Sequence, residues 1–129
     1  MTDKNEELAT AANSGENGDR LPYIRGLNAK NISLYDVIRM LSKGQREELI
    51  SGYDLKDFAK IFEDESMMRT ADAFIASGMN VSQTARDTYM HRNTLTYRLN
   101  AIREKTGLDL RDFDMAVTFK LLHILYSVK

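Results

Sequence analysis

Cysteine is absent from this chain of 129 residues, which excludes disulfides and thiolate metal sites. Its two histidines, His91 and His123, stand alone and do not make a metal site. There is no paired nucleophile and base and no glycine loop to cradle phosphate, so no enzyme activity and no cofactor are expected. The carboxylates of Asp109, Asp112 and Asp114 read instead as a polar connection followed by a helix N-terminal charge preference. Long apolar runs are missing too. The opening stretch "MTDKNEELATAANSGENGDR" is polar, with nothing resembling a secretory signal or a membrane span, and predicts a disordered N-terminal tail. No membrane association is expected, and a cytoplasmic location fits. Strand-like alternation and internal repeats are also lacking, so the predicted fold class is all-α.

Nor is there an excess of charge. A formal net charge of −1 argues against a general polyanion binder that is basic throughout. The distribution is uneven, however. Residues 1–65 carry nine Lys/Arg against thirteen Asp/Glu, and residues 66–129 carry nine against six. Within residues 86–105, Arg86, Arg92, Arg98, Arg103 and Lys105 outweigh Asp87 and Glu104. The positive charge of the C-terminal half is therefore concentrated in one short stretch.

Three regions are expected: a disordered tail and linker over 1–31, short helices over 32–65, and a helix-turn-helix domain over 66–129. The linker holds the only proline, Pro22. Ser33 opens "SLYDVIRMLS", with Leu34, Val37, Ile38 and Leu41 at helical spacing, and Gly44 ends that helix or starts the next. "QREELIS" and "DLKDFAKIFED" follow as short amphipathic helices, the second capped by Asp54 and presenting Leu55, Phe58, Ala59 and Phe62. In "SMMRTADAFIASG", Met67, Met68, Ala71, Phe74 and Ile75 form a stripe that ends at Gly78, a left-handed C-cap. The last segment places Phe113, Val117, Leu121, Ile124 and Val128 along one stripe, widened by Phe119 and Leu122. So broad a face suits a helix packed against two partners, and a second chain is a candidate for one of them.

Between these lies "NVSQTARDTYMHRNTLTYRL", residues 80–99. Asn80 and Ser82 provide cap chemistry for a helix of about two turns, which must be clamped by neighbours because so short a helix is unstable alone. A second helix starts near His91 and ends at Gly107. Two short helices joined by a tight turn describe a helix-turn-helix. Ala85 supplies the small residue at their crossing, and Met90, Leu95, Leu99 and Ile102 supply the apolar inner side. At about 100° per residue, Asn93, Thr96, Tyr97 and Asn100 point away from that side, with Arg92 and Arg98 on its flanks.

Planar or short hydrogen-bonding groups therefore fill the outer face of the first two turns, and no acid appears until Glu104. Arginine forks onto guanine, asparagine pairs with adenine, and threonine touches a phosphate or a thymine methyl. A recognition helix enters the major groove with its N-terminal end, so base-reading groups belong early and carboxylates late. Free amides at the start of the first helix give Ser82, Gln83 and Thr84 a phosphate-binding role. Structural roles compete at three positions: Tyr97 packs at the helix edge or contacts DNA, Arg98 contacts DNA or pairs with Asp87, and His91 suits a cap better than a base reader.

At these residues the chain resembles the C-terminal helix-turn-helix domain of PucR/CdaR-type bacterial transcription regulators, itself similar to the DNA-binding part of the factor for inversion stimulation. That family shows N-V-S-x-T-A-R, then H-R-N-T-L-x-Y-R-L-x-x-I, then T-G-L-D-L. Here the matching residues are Asn80, Val81, Ser82, Thr84, Ala85 and Arg86; His91 through Leu95, Tyr97, Arg98, Leu99 and Ile102; and Thr106 through Leu110. The resemblance covers roughly residues 66–126. It implies sequence-specific binding of double-stranded DNA, with Arg92, Asn93, Thr94, Thr96 and Tyr97 presented to the groove. Thr88 stands where the family usually has leucine, and Tyr89 where a glycine or small polar residue is common; both predict a looser first helix. Full regulators of this type carry long sensory domains, for which residues 1–65 are too short. Either the chain is a small stand-alone regulator or its signal arrives through a separate sensory protein.

The expected function is that of a DNA-binding transcription regulator acting as a homodimer, with Ser82, Gln83, Thr84, His91, Arg92, Asn93, Thr94, Thr96, Tyr97 and Arg98 at the DNA. The alternative is a small helical adaptor that uses residues 1–65 to bind another protein.

Overall fold

The computed structural model describes residues 31–128, and every regular element among them is helical. The tail and linker expected over 1–31, with Pro22 and Gly26, fall outside the described residues except for Asn31. The helices are α1 (Leu34–Arg39), α2 (Lys43–Ile50), α3 (Leu55–Phe62), α4 (Glu65–Ala76), α5 (Val81–Thr88), α6 (Arg92–Thr106) and α7 (Phe113–Val128). No described helix is long and apolar enough to cross a membrane.

Side-chain caps set most of the boundaries. Ser42 opens α2 through a capping box with Gln45, which places Gly44 inside the first turn of that helix. Asp54 caps α3 and Asp64 caps α4, each carboxylate accepting a backbone N–H of the first turn. Asp64 stands two residues ahead of the expected start at Ser66. The α4 helix ends in a Schellman motif, with the Met79 amide donating to the Phe74 carbonyl and the Gly78 amide to Ile75. Gly78 is left-handed, as its position predicts, and so is Met79 at φ 61°.

One apolar core unites α3 to α7. It is built from Phe58, Ile61, Phe62, Met68, Ala71, Phe74, Leu95, Leu99, Ile102, Leu110, Ala116, Phe119 and Leu122. Phe62 is its hinge between N- and C-terminal segments: its ring lies 5.4 Å from Phe119, 5.3 Å from Tyr126 and 4.9 Å from His123. The Tyr126 hydroxyl hydrogen-bonds the Glu63 carboxylate beside it, and that acceptor is the main reason the phenol titrates above its ordinary value. The α1 helix rests on α7 through the buried Ile38, and α2 also reaches α7. Residues 34–128 thus pack as one unit that runs through the boundary expected near residue 65.

The final helix buries one side of its broad apolar face, the side widened by Phe119 and Leu122. The α7 side chains in the core are Ala116, Phe119, Leu122 and Leu125. The stripe of Phe113, Val117, Leu121, Ile124 and Val128 occupies an arc of about 80° on the other side at about 100° per residue; Val117, Leu121 and Ile124 are half-buried there and Phe113 is 65% exposed. A helix that is apolar nearly all round carries no period from which its buried side can be read. Its partners decide: Phe62 of α3 meets Phe119, and α1 packs along the same helix through Ile38. In α1, likewise, Ile38 is buried while Val37 stands exposed, and the helix stops at Arg39 rather than reaching Leu41.

Candidate nucleic-acid interface

The two helices of interest are held from behind. Asn80 caps α5 by accepting the Gln83 amide at 2.8 Å. With only eight residues, α5 relies on packing between α4 and α6. Thr84 is the bolt. Its side chain is fully buried, donates to the Asn80 carbonyl at 2.8 Å and shares a hydrogen bond with the Ser77 hydroxyl, also at 2.8 Å.

The turn into α6 is a second Schellman motif, closed by the Met90 amide on the Ala85 carbonyl at 3.0 Å. Its left-handed position is filled by Tyr89, at φ 54°. A side chain there costs on the order of 1–2 kcal/mol relative to glycine, and the Tyr89 ring is 97% exposed. The expected loosening of α5 does not shorten it: the helix is complete to Thr88, whose hydroxyl donates to the Thr84 carbonyl.

His91 then caps α6, its Nδ1 accepting the Asn93 amide at 3.0 Å. On the inner side Leu95, Leu99 and Ile102 are completely buried, each contributing on the order of 1.5–3 kcal/mol. Facing outward, Arg92, Asn93, Thr94, Thr96 and Tyr97 are all exposed. They form a continuous polar surface over the first two turns, bordered by Ser82 and Gln83 from α5.

Two of the expected contact residues are turned away from this surface. Thr84 is sealed in the core, and its amide is spent on Asn80. The Gln83 amide is taken by the Asn80 side chain, because the cap lies two residues ahead of Ser82. Of the three amides expected to hold phosphate, only that of Ser82 is left without an intrahelical acceptor. Arg98 crosses to α4 and donates to the Thr70 hydroxyl at 3.0 Å, rather than pairing with Asp87 or facing outward. Thr70 is itself buried, and its hydroxyl donates to the Ser66 carbonyl. Arg98 therefore ties α6 to α4.

Arg92 remains exposed but is not free in orientation: its Nη1 donates to Ser82 Oγ at 2.7 Å. Gln83 bridges Asp87 and Arg86, donating to the first and accepting from the second, each at 2.7 Å. Arg86 and Tyr89, which are not among the expected contact residues, also stand exposed in this region. The signal for Tyr89 was available in a large aromatic occupying a turn position that favours glycine.

The far end of α6 is tied down separately. Arg111 donates to Asn100 Oδ1 at 2.7 Å and to Asp109 Oδ1 at 2.8 Å, and Arg103 lies 3.9 Å from the second Asp109 oxygen. The hydrogen bond from Arg111 holds the Asp109 carboxyl below its ordinary value. Stability from a depressed carboxylate is complete above the ordinary pKa and is lost as pH falls through the depressed one. Urea titrations of Asp109→Asn and the wild-type chain are accordingly expected to differ most at neutral pH, with the gap narrowing as acid is added through the carboxylate range. Asp112 closes this corner by accepting the Met115 amide at 3.0 Å as the cap of α7. No group of three or more potential ligands for a metal ion occurs among the described residues.

Comparison with known proteins places this geometry. The family described as the PucR C-terminal helix-turn-helix domain matches residues 67–123. The purine catabolism regulatory protein of Bacillus subtilis is 30% identical over 118 residues, covering 89% of this chain and 21% of that protein. The proline-responsive transcriptional activator PutR of the same organism is 28% identical over 112 residues, 83% of this chain and 26% of its own length. The carbohydrate diacid regulator of Escherichia coli is 46% identical over 48 residues, 37% of this chain and 12% of that protein. The chain therefore spans about a fifth to a quarter of the first two relatives. No solved structure matches it. Over residues 67–123 the chain carries a helix-turn-helix domain of the PucR C-terminal family.

Proposed function

We propose that this chain is a sequence-specific, double-stranded DNA-binding transcription regulator, with the first two turns of α6 entering the major groove. One observation carries the reading. Arg92, Asn93, Thr94, Thr96 and Tyr97 are exposed together on a helix whose opposite side is locked into the core, so the exposed groups form a rigid reading surface. Arginine and asparagine supply forked contacts to guanine and adenine, while the threonines and Tyr97 reach methyl groups and phosphates. Gln83, the His91 ring and the Ser82 amide border that surface and serve the backbone. The three relatives above bear the names of regulators or an activator, which agrees with this assignment.

The chain acts as a homodimer in this reading, since one helix-turn-helix reads only a few base pairs and two-fold pairing supplies the remaining affinity. Exposed Tyr35 and Val37 on α1, Met40 just after it and Phe113 on α7 provide apolar surface for the second copy.

Gel shifts with genomic duplex fragments test the proposal. With about four phosphates neutralised, affinity is expected to fall roughly a hundredfold between about 50 and 200 mM salt. Bound fragments are expected to share a palindrome with half-sites about one helical turn apart. A chain that shifts no duplex at low salt is instead the helical adaptor, and the assignment is wrong.

A further inference from the structure

Within the outward surface, one contact joins the two helices of the motif through side chains that both stand at the reading edge. Ser82 sits in the first turn of α5, behind the Asn80 cap and beside Val81, which packs against the core. Its hydroxyl accepts the Arg92 guanidinium at 2.7 Å across ten residues of sequence. Arg92 is the first residue of α6, where a long exposed side chain would otherwise sample many rotamers.

Resting on the DNA reading above, we infer that Ser82 is a positioning residue for Arg92. It holds the guanidinium in one attitude before DNA arrives, so base choice by α6 depends on a hydroxyl supplied by α5. The arithmetic of donors permits it. A guanidinium has five N–H groups, and the bond to Ser82 uses one on Nη1. The Nε–Nη2 edge keeps a parallel pair of donors for the O6 and N7 atoms of guanine. A side chain ordered beforehand forfeits less rotamer freedom on binding than one that must be caught from solution. Nothing further along α6 performs this task for Arg92: Arg98 is committed to Thr70 and Asn100 to Arg111.

The competing use of Ser82 is a direct bond to phosphate, and a double-mutant cycle separates the two. The probe is the best duplex recovered by the wild-type chain from a randomised pool, together with its single-base-pair variants. Positioning predicts that Ser82→Ala weakens binding roughly three- to tenfold. It also flattens the preference at the base pair that Arg92→Ala relaxes, has no further effect in the Arg92→Ala background, and is reversed by Ser82→Thr. Additive losses with an unchanged base preference and a salt slope reduced by about one would mean a phosphate contact and would overturn the inference, as would unchanged binding. In the free protein, nitrogen relaxation at Arg92 Nε is expected to show restricted motion that Ser82→Ala releases. Failure of the wild-type chain to recover any duplex would defeat the DNA reading itself, whereas an Arg92 Nε equally mobile in both proteins would defeat the positioning role alone.

Discussion

Replacing Phe74 with alanine is expected to destabilise the chain by about 3–5 kcal/mol, the range for truncating a buried aromatic. Phe74 is completely buried and belongs to the helix that carries both the Thr70 acceptor for Arg98 and the cap leading into α5. Its removal opens a cavity beneath the motif rather than at the edge of the fold. Thermal melts are the direct measurement. At roughly 4–8 °C per kcal/mol for a domain of this size, the midpoint should fall by more than 10 °C. A shift of only a few degrees would mean that α4 repacks and is not the central support of the motif.

The second large effect falls on recognition. Arg92→Ala is expected to cost about 1–3 kcal/mol in binding to the selected duplex and to relax specificity at a single base pair. Its melting temperature should barely move, because Arg92 is exposed and, among the described residues, its side chain bonds only Ser82. Fluorescence-anisotropy titrations against the four duplexes that differ at one position read both numbers. A uniform loss across all four sequences would reassign Arg92 to the phosphate backbone. Loss of folding would move it from the interface to the scaffold.

What was legible in the sequence was whatever depends on local chemistry. The left-handed glycine after α4, the cap role of His91, and the inner side of α6 at Leu95, Leu99 and Ile102 all follow from residue type and spacing, and the structure has them. The features missed are set by partners distant in the chain. Arg98 reaches a threonine 28 positions earlier, and no helical projection of α6 reveals an acceptor on another helix. Thr84 resembles a surface residue until the Ser77 hydroxyl is brought against it. The buried side of α7 could not be read for the opposite reason, since apolar side chains almost everywhere leave the choice of face to whatever packs there. The left-handed backbone at Met79 and Tyr89 escapes ordinary propensity, because neither residue favours it and only the cap geometry demands it.

The Phe62 ring has a practical consequence for anyone dissecting this chain. A fragment trimmed to residues 67–123 looks complete on paper, yet it discards Phe58, Ile61, Phe62 and Tyr126. Phe119 and the inner wall of α6 would be left bare to water, and such a fragment would be sticky and poorly folded whatever its motif retains. The smallest piece worth expressing begins ahead of Leu34 and keeps the last helix whole.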